Sequence, residues 1–208
     1  MTTDFFAVAG TQRACRDFTA EPVPDEALVT MVRCATHAPS AHNSQPWEFV
    51  IVQAAPTRAR VSNLARQSWD ASRDWVETNL LEQDMFRDVD QFIHERDYGG
   101  APVLVVLGVD TNKVAEIVAG CSIYPAAQNL MLAAGALGYA SAFTNFTVAA
   151  SEAMSAEVGF PPEVKCYGVV AVGRAAKPLG PPRREPAESK MHRDYFGAKW
   201  PAKNAPLP

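Results

Sequence analysis

The sequence predicts an α+β domain: helices around a small, mixed, mostly antiparallel sheet, with an extension at each end. Three observations carry that expectation. Runs of β-forming residues, such as Trp47–Val52 (WEFVIV), alternate with stretches whose apolar residues recur at helical spacing. Residues 103–107 are apolar at every position, which fits a strand covered on both faces. From Lys177 onward the chain is proline-rich and cannot build a core, so it reads as an extension over 177–208 of a single domain over 1–176.

Residues 2–10 read as a short helix, followed by the polar and basic stretch TQRACRDF at 11–18. Pro24-Asp25-Glu26 marks a helix start, because proline suits the first helical position and acids suit the positive end of the dipole. Leu28, Met31, Val32 and Ala35 give that helix one buried face, and Pro39 ends it. The loop PSAHNSQP at 39–46 leads into strand 47–52. Residues from about 56 to 98 read as helix in two or more pieces. After strand 103–107, residues 115–137 form a mainly apolar helix that finishes at Gly138, a C′ glycine. Pro125 either kinks this helix or marks its start. Residues 139–144 and 164–172 are two further strands, with a short helix at 152–158 between them.

Composition narrows the function. Of 208 residues, 48% are hydrophobic and 20% charged, with a net charge of −4, so bulk binding to nucleic acid or a membrane surface is not expected. Cys15, Cys34, Cys121 and Cys166 are far apart, show no CxxC spacing, and read as small buried hydrophobes in a reducing compartment. The N-terminus lacks a basic region before an apolar run, and no apolar run reaches the roughly 18 residues a membrane span needs. A cytoplasmic location is expected. The four histidines show no metal-binding spacing, so no metal site is predicted. GxSxG, P-loop and GxGxxG motifs are all missing, which leaves hydrolase, kinase and Rossmann readings without support.

Two features could carry chemistry. Arg13 and Arg16 lie near the start of the chain, and Arg183 and Arg184 near its end. These are either solvated basic pairs or two arms converging on one phosphate monoester, a group that the planar guanidinium binds well. The loop from Pro39 to Trp47 is either an ordinary connection with turn residues or a set of backbone and amide groups laid along a planar heterocycle.

Five segments, in order, resemble the nitroreductase family of FMN-dependent oxidoreductases. QRACRDF (12–18) resembles the basic entry segment, and PSAHNSQPWEFVIV (39–52) the PSxxNxQPWxFxVV segment. APVLVVLGVD (101–110) resembles the second strand, and AAQNLMLAAGALGYAS (126–141) the central helix. GVVAVGRAAKPLGPPRREP (168–186) resembles the closing strand and basic tail.

The resemblance implies a nitroreductase-like fold whose terminal extensions embrace a partner in a homodimer, with FMN sites built from both subunits. It also implies a hydride transfer from NADH or NADPH to a small, electron-poor acceptor, by ping-pong turnover. Carried over by position, Arg13 and Arg16 reach FMN, and Arg183 or Arg184 completes the phosphate site. Pro39, Ser40, Ala41 and Asn43 line the isoalloxazine, with Ser40 and Asn43 as side-chain donors. Thr144, Asn145 and Phe146 approach flavin N5, while Gln45 and Trp47 hold the loop and start the strand. Arg16, Thr144 and Asn145 are the catalytic candidates, Arg16 by stabilising negative charge on the N1–C2=O2 edge.

Gln12 and Ala14 stand where many members have arginine and serine, and Phe146 where glycine is common, so Thr144 is the substitute N5 donor. The segment 68–98 should form part of a substrate lid and lacks the Glu, Tyr and Lys trio of the iodotyrosine deiodinase branch. The loop at 39–46 lacks the Gly-Phe-Met run of the flavin-destructase branch. The alternatives are a protein that stores or senses FMN without turnover, and a structural dimer whose site has decayed.

Overall fold

A computed structural model describes residues 4–145 and 149–201. Helix α1 (Phe5–Thr11) starts at Asp4, whose carboxylate accepts the Ala7 N–H at 2.7 Å. Helix α2 (Asp25–Ala35) is preceded by Pro24 as its N-cap, with Asp25 and Glu26 in the first turn. It ends at Ala35, short of Pro39; residues 36–38 form a turn. Strand β1 (Trp47–Val52) follows. The long helical stretch resolves into α3 (Ala55–Asp70), α4 (Arg73–Asn79) and α5 (Gln83–His94).

Strand β2 (Val103–Asp110) runs past Leu107 through a register shift at Leu107/Gly108. Gly108 is needed there, since a Cβ would meet the Phe160 ring at 2.6 Å. Helix α6 (Glu116–Ala136) contains Pro125 in its interior, and Gly138 beyond its end takes φ +82°. Strand β3 (Ala140–Thr144), helix α7 (Ser151–Glu157) and strand β4 (Val164–Gly173) complete the domain.

The sheet order is β1-β2-β4-β3, and every neighbouring pair of strands is antiparallel. The parallel component is a single bridge between Ala14 and Ser141. Alternation along β2 explains the layers. Val103, Val105, Leu107 and Val109 face a core with Leu28, Met31, Ile123 and Leu130 of α2 and α6. Leu104 and Val106 face the opposite core, with Val61, Ala65, Trp69, Phe92 and Met154 of α3, α5 and α7.

Two expectations are corrected. Cys34 and Cys121 are exposed, because they lie on outward faces of α2 and α6; only Cys15 and Cys166 are buried. Helix α6 is also long and apolar enough, by length and composition, to cross a membrane. Scattered polar residues such as Ser122, Gln128 and Asn129 break the consecutive run without lowering the average much. Ala119, Ile123, Ala126, Ala127 and Leu130 of this helix are core residues.

Both ends of the domain are stitched to one edge. Cys15 N–H donates to the Ser141 carbonyl and Phe18 N–H to that of Gly99, each at 2.9 Å. Thr19 N–H donates to the Arg174 carbonyl and Ala176 N–H to that of Asp17, also at 2.9 Å. Beyond this seam the C-terminal residues form a small hairpin closed by a His192–Lys199 bridge. Its tip leaves Tyr195 73% and Phe196 89% exposed, with one side of the Phe196 ring packed on the His192 ring at 4.4 Å between centroids.

Candidate functional site

The N-terminal arm from Arg13 to Phe18 is held between β3 and a turn at 97–100. The parallel bridge at Ala14 and Ser141 sends the arm in the same direction as β3, so Arg16 advances toward the level of Phe143 and Thr144. Asp97, Tyr98, Gly99 and Gly100 all have positive φ, at 48°, 59°, 65° and 76°. Gly99 lies against the arm so closely that a Cβ would sit 2.3 Å from the Arg16 carbonyl oxygen. Arg96 ties the other side, donating to the Phe18 carbonyl at 3.0 Å and pairing with Asp17.

Arg13 and Arg16 line a cavity of about 470 Å³ with Asp88, Gln91, Glu95 and Lys177. Arg13 Nη1 donates to the Gly180 carbonyl at 3.1 Å. Arg16 has a poorer set of partners: Nη2 meets the Met85 Sδ at 3.3 Å, and the carboxylate of Asp88 is 3.9 Å from Nη1. Burial pulls its pKa below the ordinary arginine value, with Asp88 opposing. A half-buried cation whose charge is weakly compensated is suited to an anionic ligand. Gln12, Arg13, Ser141 and Lys177 line a second cavity, of about 510 Å³, next to the first.

Thr144 and Asn145 end β3, while Phe146 lies outside the described residues. The Thr144 side chain packs inward. Its Oγ1 donates to Tyr98 Oη at 3.2 Å, the residue is 7% exposed, and the pair is closed into the core. Burial raises the pKa of Tyr98 far above the ordinary tyrosine range. Asn145 is exposed and lines a cavity of about 560 Å³ with Gln67, Ser68, Ala71 and Ser72, so the start of the 68–98 segment reaches the end of β3.

The loop before β1 has an unusual backbone. His42, Asn43 and Gln45 take φ of 55°, 54° and 46°. Polar side chains hold it: Ser40 Oγ accepts the Gln45 N–H at 3.1 Å, and Gln45 Nε2 donates to Asn43 Oδ1 at 3.2 Å. Ala41 N–H donates to Ser122 Oγ of α6 at 3.1 Å. These bonds use Ser40 Oγ and Asn43 Oδ1 as acceptors and leave the Ser40 O–H and the Asn43 amide N–H₂ as further donors. The Ser44 hydroxyl is buried with no hydrogen-bond partner among the described residues.

The structure does not bring the loop and the arm together in one chain. Trp47 pairs with Val109 at one end of β2, whereas Ser141 pairs with Val172 and thence Val103 at the other. The length of β2 between these levels is roughly 20 Å. Arg183 and Arg184 are exposed and form no ion pair among the described residues; Arg184 Nη1 donates to the Arg183 carbonyl. Their segment does reach the arm, through the Arg13–Gly180 bond.

Sequence reasoning passed over Arg96, Tyr98 and Gly99, although the Tyr-Gly-Gly run before Ala101-Pro102 signals a turn.

The chain is thus an antiparallel α+β domain carrying a cationic arm beside β3, with a donor-rich loop at the far end of the sheet. The pattern described as "Nitroreductase family" matches residues 10–174, and the chain belongs to that family. An iodotyrosine deiodinase of Hydra vulgaris is 30% identical over 66 residues, which are 32% of this chain and 24% of that protein. A Streptococcus pyogenes protein whose name, NAD(P)H nitroreductase, is itself provisional is 35% identical over 85 residues, 41% of this chain and 40% of that one. The matched segments thus span well under half of these curated relatives. The solved structure of a nitroreductase with bound FMN from Desulfitobacterium hafniense has a TM-score of 0.70 at 21% identity, over 94% of this chain and all of that one. The chain therefore has the nitroreductase-like fold, and its family supports an oxidoreductase.

Proposed function

We propose that this protein is an FMN-dependent oxidoreductase that takes hydride from NADH or NADPH and delivers it to a small, electron-poor acceptor such as a nitroaromatic or a quinone. The observation that carries the reading is the half-buried Arg16, whose charge is weakly compensated beside a cavity lined by the N-terminal arm, α5 and the 177–180 segment. When bound, FMN supplies the redox chemistry, accepting and then donating hydride.

The residues fit such a group. Arg13 and Arg16 offer permanent cations for its phosphate and for the ring edge that gains negative charge on reduction. Lys177 lines both neighbouring cavities and adds a further cation. The remaining donors of Ser40 and Asn43, with Pro39 and Ala41 beside them, suit the edge of a planar heterocycle. Because the loop and the arm sit at opposite ends of one sheet, a single site that uses both needs a homodimer, with the loop of a second copy meeting the arm of the first. The exposed aromatic hairpin at Tyr195 and Phe196 suits the same association. Turnover would be ping-pong, the nicotinamide and the acceptor using one site in turn, with the exposed Asn145 at the end of β3 as the residue beside it.

Steady oxidation of NADH or NADPH by the FMN-loaded protein, dependent on an added nitroaromatic or quinone, tests this reading. Retention of FMN without turnover by any such acceptor points instead to storage or sensing.

A further inference from the structure

The turn at 97–100 touches both the cationic arm and the end of β3. Tyr98 is fully buried, and its hydroxyl accepts from Thr144, the last residue of β3, immediately before the exposed Asn145. Its chain neighbour Gly99 accepts the Phe18 N–H and abuts the Arg16 carbonyl without room for a Cβ. Phe92 packs edge-on against the Tyr98 ring, with centroids 5.3 Å apart, and fixes its orientation. Positive φ at the two non-glycine residues Asp97 and Tyr98 makes this a costly local conformation, which those surrounding contacts help to hold.

We propose that Tyr98 is a positioning residue: by bridging Thr144 through its hydroxyl and Arg16 through Gly99, it sets the spacing between the cationic arm and the end of β3. The proposal rests on the flavin reading for its consequence, since Arg16 and Asn145 are the residues that would hold the flavin on either side of that spacing. Its geometry is independent of that reading. A buried phenol in hydrogen-bond contact with a strand terminus restrains the following residue more tightly than apolar packing does, because the hydroxyl pair has no water to exchange with.

The test compares Tyr98→Phe, Thr144→Val and the double variant as full-length protein. In the absence of FMN, the Tyr98→Phe substitution is expected to shift the backbone amide resonances of Asn145 and Arg16. In the FMN-loaded protein it is expected to change the visible circular dichroism of the flavin and to lower kcat roughly tenfold, with the KM for the nicotinamide little altered. Thr144→Val should act in the same way, and the double variant should be no worse than either single one, because one hydroxyl pair transmits the effect. Unmoved Asn145 and Arg16 resonances, or an unchanged flavin spectrum with full kcat, overturn the proposal; so do additive losses in the double variant. If the unaltered protein takes up no FMN, the flavin reading fails, and the positioning role is decided by the resonances alone.

Discussion

Arg13, near the start of the chain, donates to the carbonyl of Gly180 at 3.1 Å, across 167 positions of sequence. The contact joins the arm to the segment that carries Arg183 and Arg184. Arg13→Ala should therefore both remove a cation and loosen the closing segment. FMN affinity should fall at least tenfold, as expected for a lost charged hydrogen bond of about 1.5–3 kcal/mol. The melting temperature of the FMN-free protein should scarcely move, because the bond is exposed. Fluorescence titration with FMN, alongside thermal melts, checks both.

Arg16 and Asp88 should act with opposite signs. Arg16→Ala removes the half-buried cation, so FMN should be retained less and reduced more slowly by the nicotinamide. Asp88→Asn removes the opposing carboxylate, and the flavin midpoint potential should rise. The ion pair is long, at 3.9 Å, and Asp88 is largely exposed, so Asp88→Asn should change folding stability by no more than about 0.5 kcal/mol. Potentiometric titration of the two variants reads the sign directly.

Gly99→Ala should be severely destabilising, by roughly 2–4 kcal/mol, because a Cβ strikes backbone and the residue has φ +65°. Neither Arg16 nor the turn can yield without breaking the Phe18–Gly99 bond. The midpoint of urea unfolding measures the loss; a midpoint unchanged from the parent contradicts the close approach.

Asp90 clamps three helices of the 68–98 region. It accepts from Trp69 Nε1 at 2.8 Å and from Arg73 Nε at 2.9 Å, and its carboxylate lies 3.2 Å from His94 Nδ1. Arg73 is the first cause that holds the Asp90 pKa below the ordinary value of 3.8, opposed by partial burial and aided by Trp69. A depressed folded pKa means that this stabilisation is complete above the ordinary value and is lost as the pH falls below it, through the folded value. Asp90→Asn should thus destabilise at neutral pH, and its difference from the parent should shrink at acid pH. Urea unfolding at a series of pH values from neutral to acid tests this.

The elements were legible because their signals are local. WEFVIV fixed β1 to the residue, and the unbroken apolar run of β2 announced its cover on both faces. The site was legible in part. Arg13, Arg16 and the loop stand out as residue types, and their placement at opposite ends of the sheet is a matter of register that no local pattern encodes. The partner of the Thr144 side chain was not legible for a related reason. It depends on the strand's parity relative to Tyr98, which is 46 positions away. The α2 terminus at Ala35 was overrun because Pro39 is the conspicuous breaker, while residues 36–38 already turn.

Anaerobic titration of the FMN-loaded protein with NADH and with NADPH, followed at the flavin absorbance, tests the central claim most directly. The account predicts bleaching by at least one of them, and return of the colour when a nitroaromatic or quinone is added without oxygen. A protein that takes up no FMN, or whose flavin stays oxidised with both nicotinamides, contradicts it.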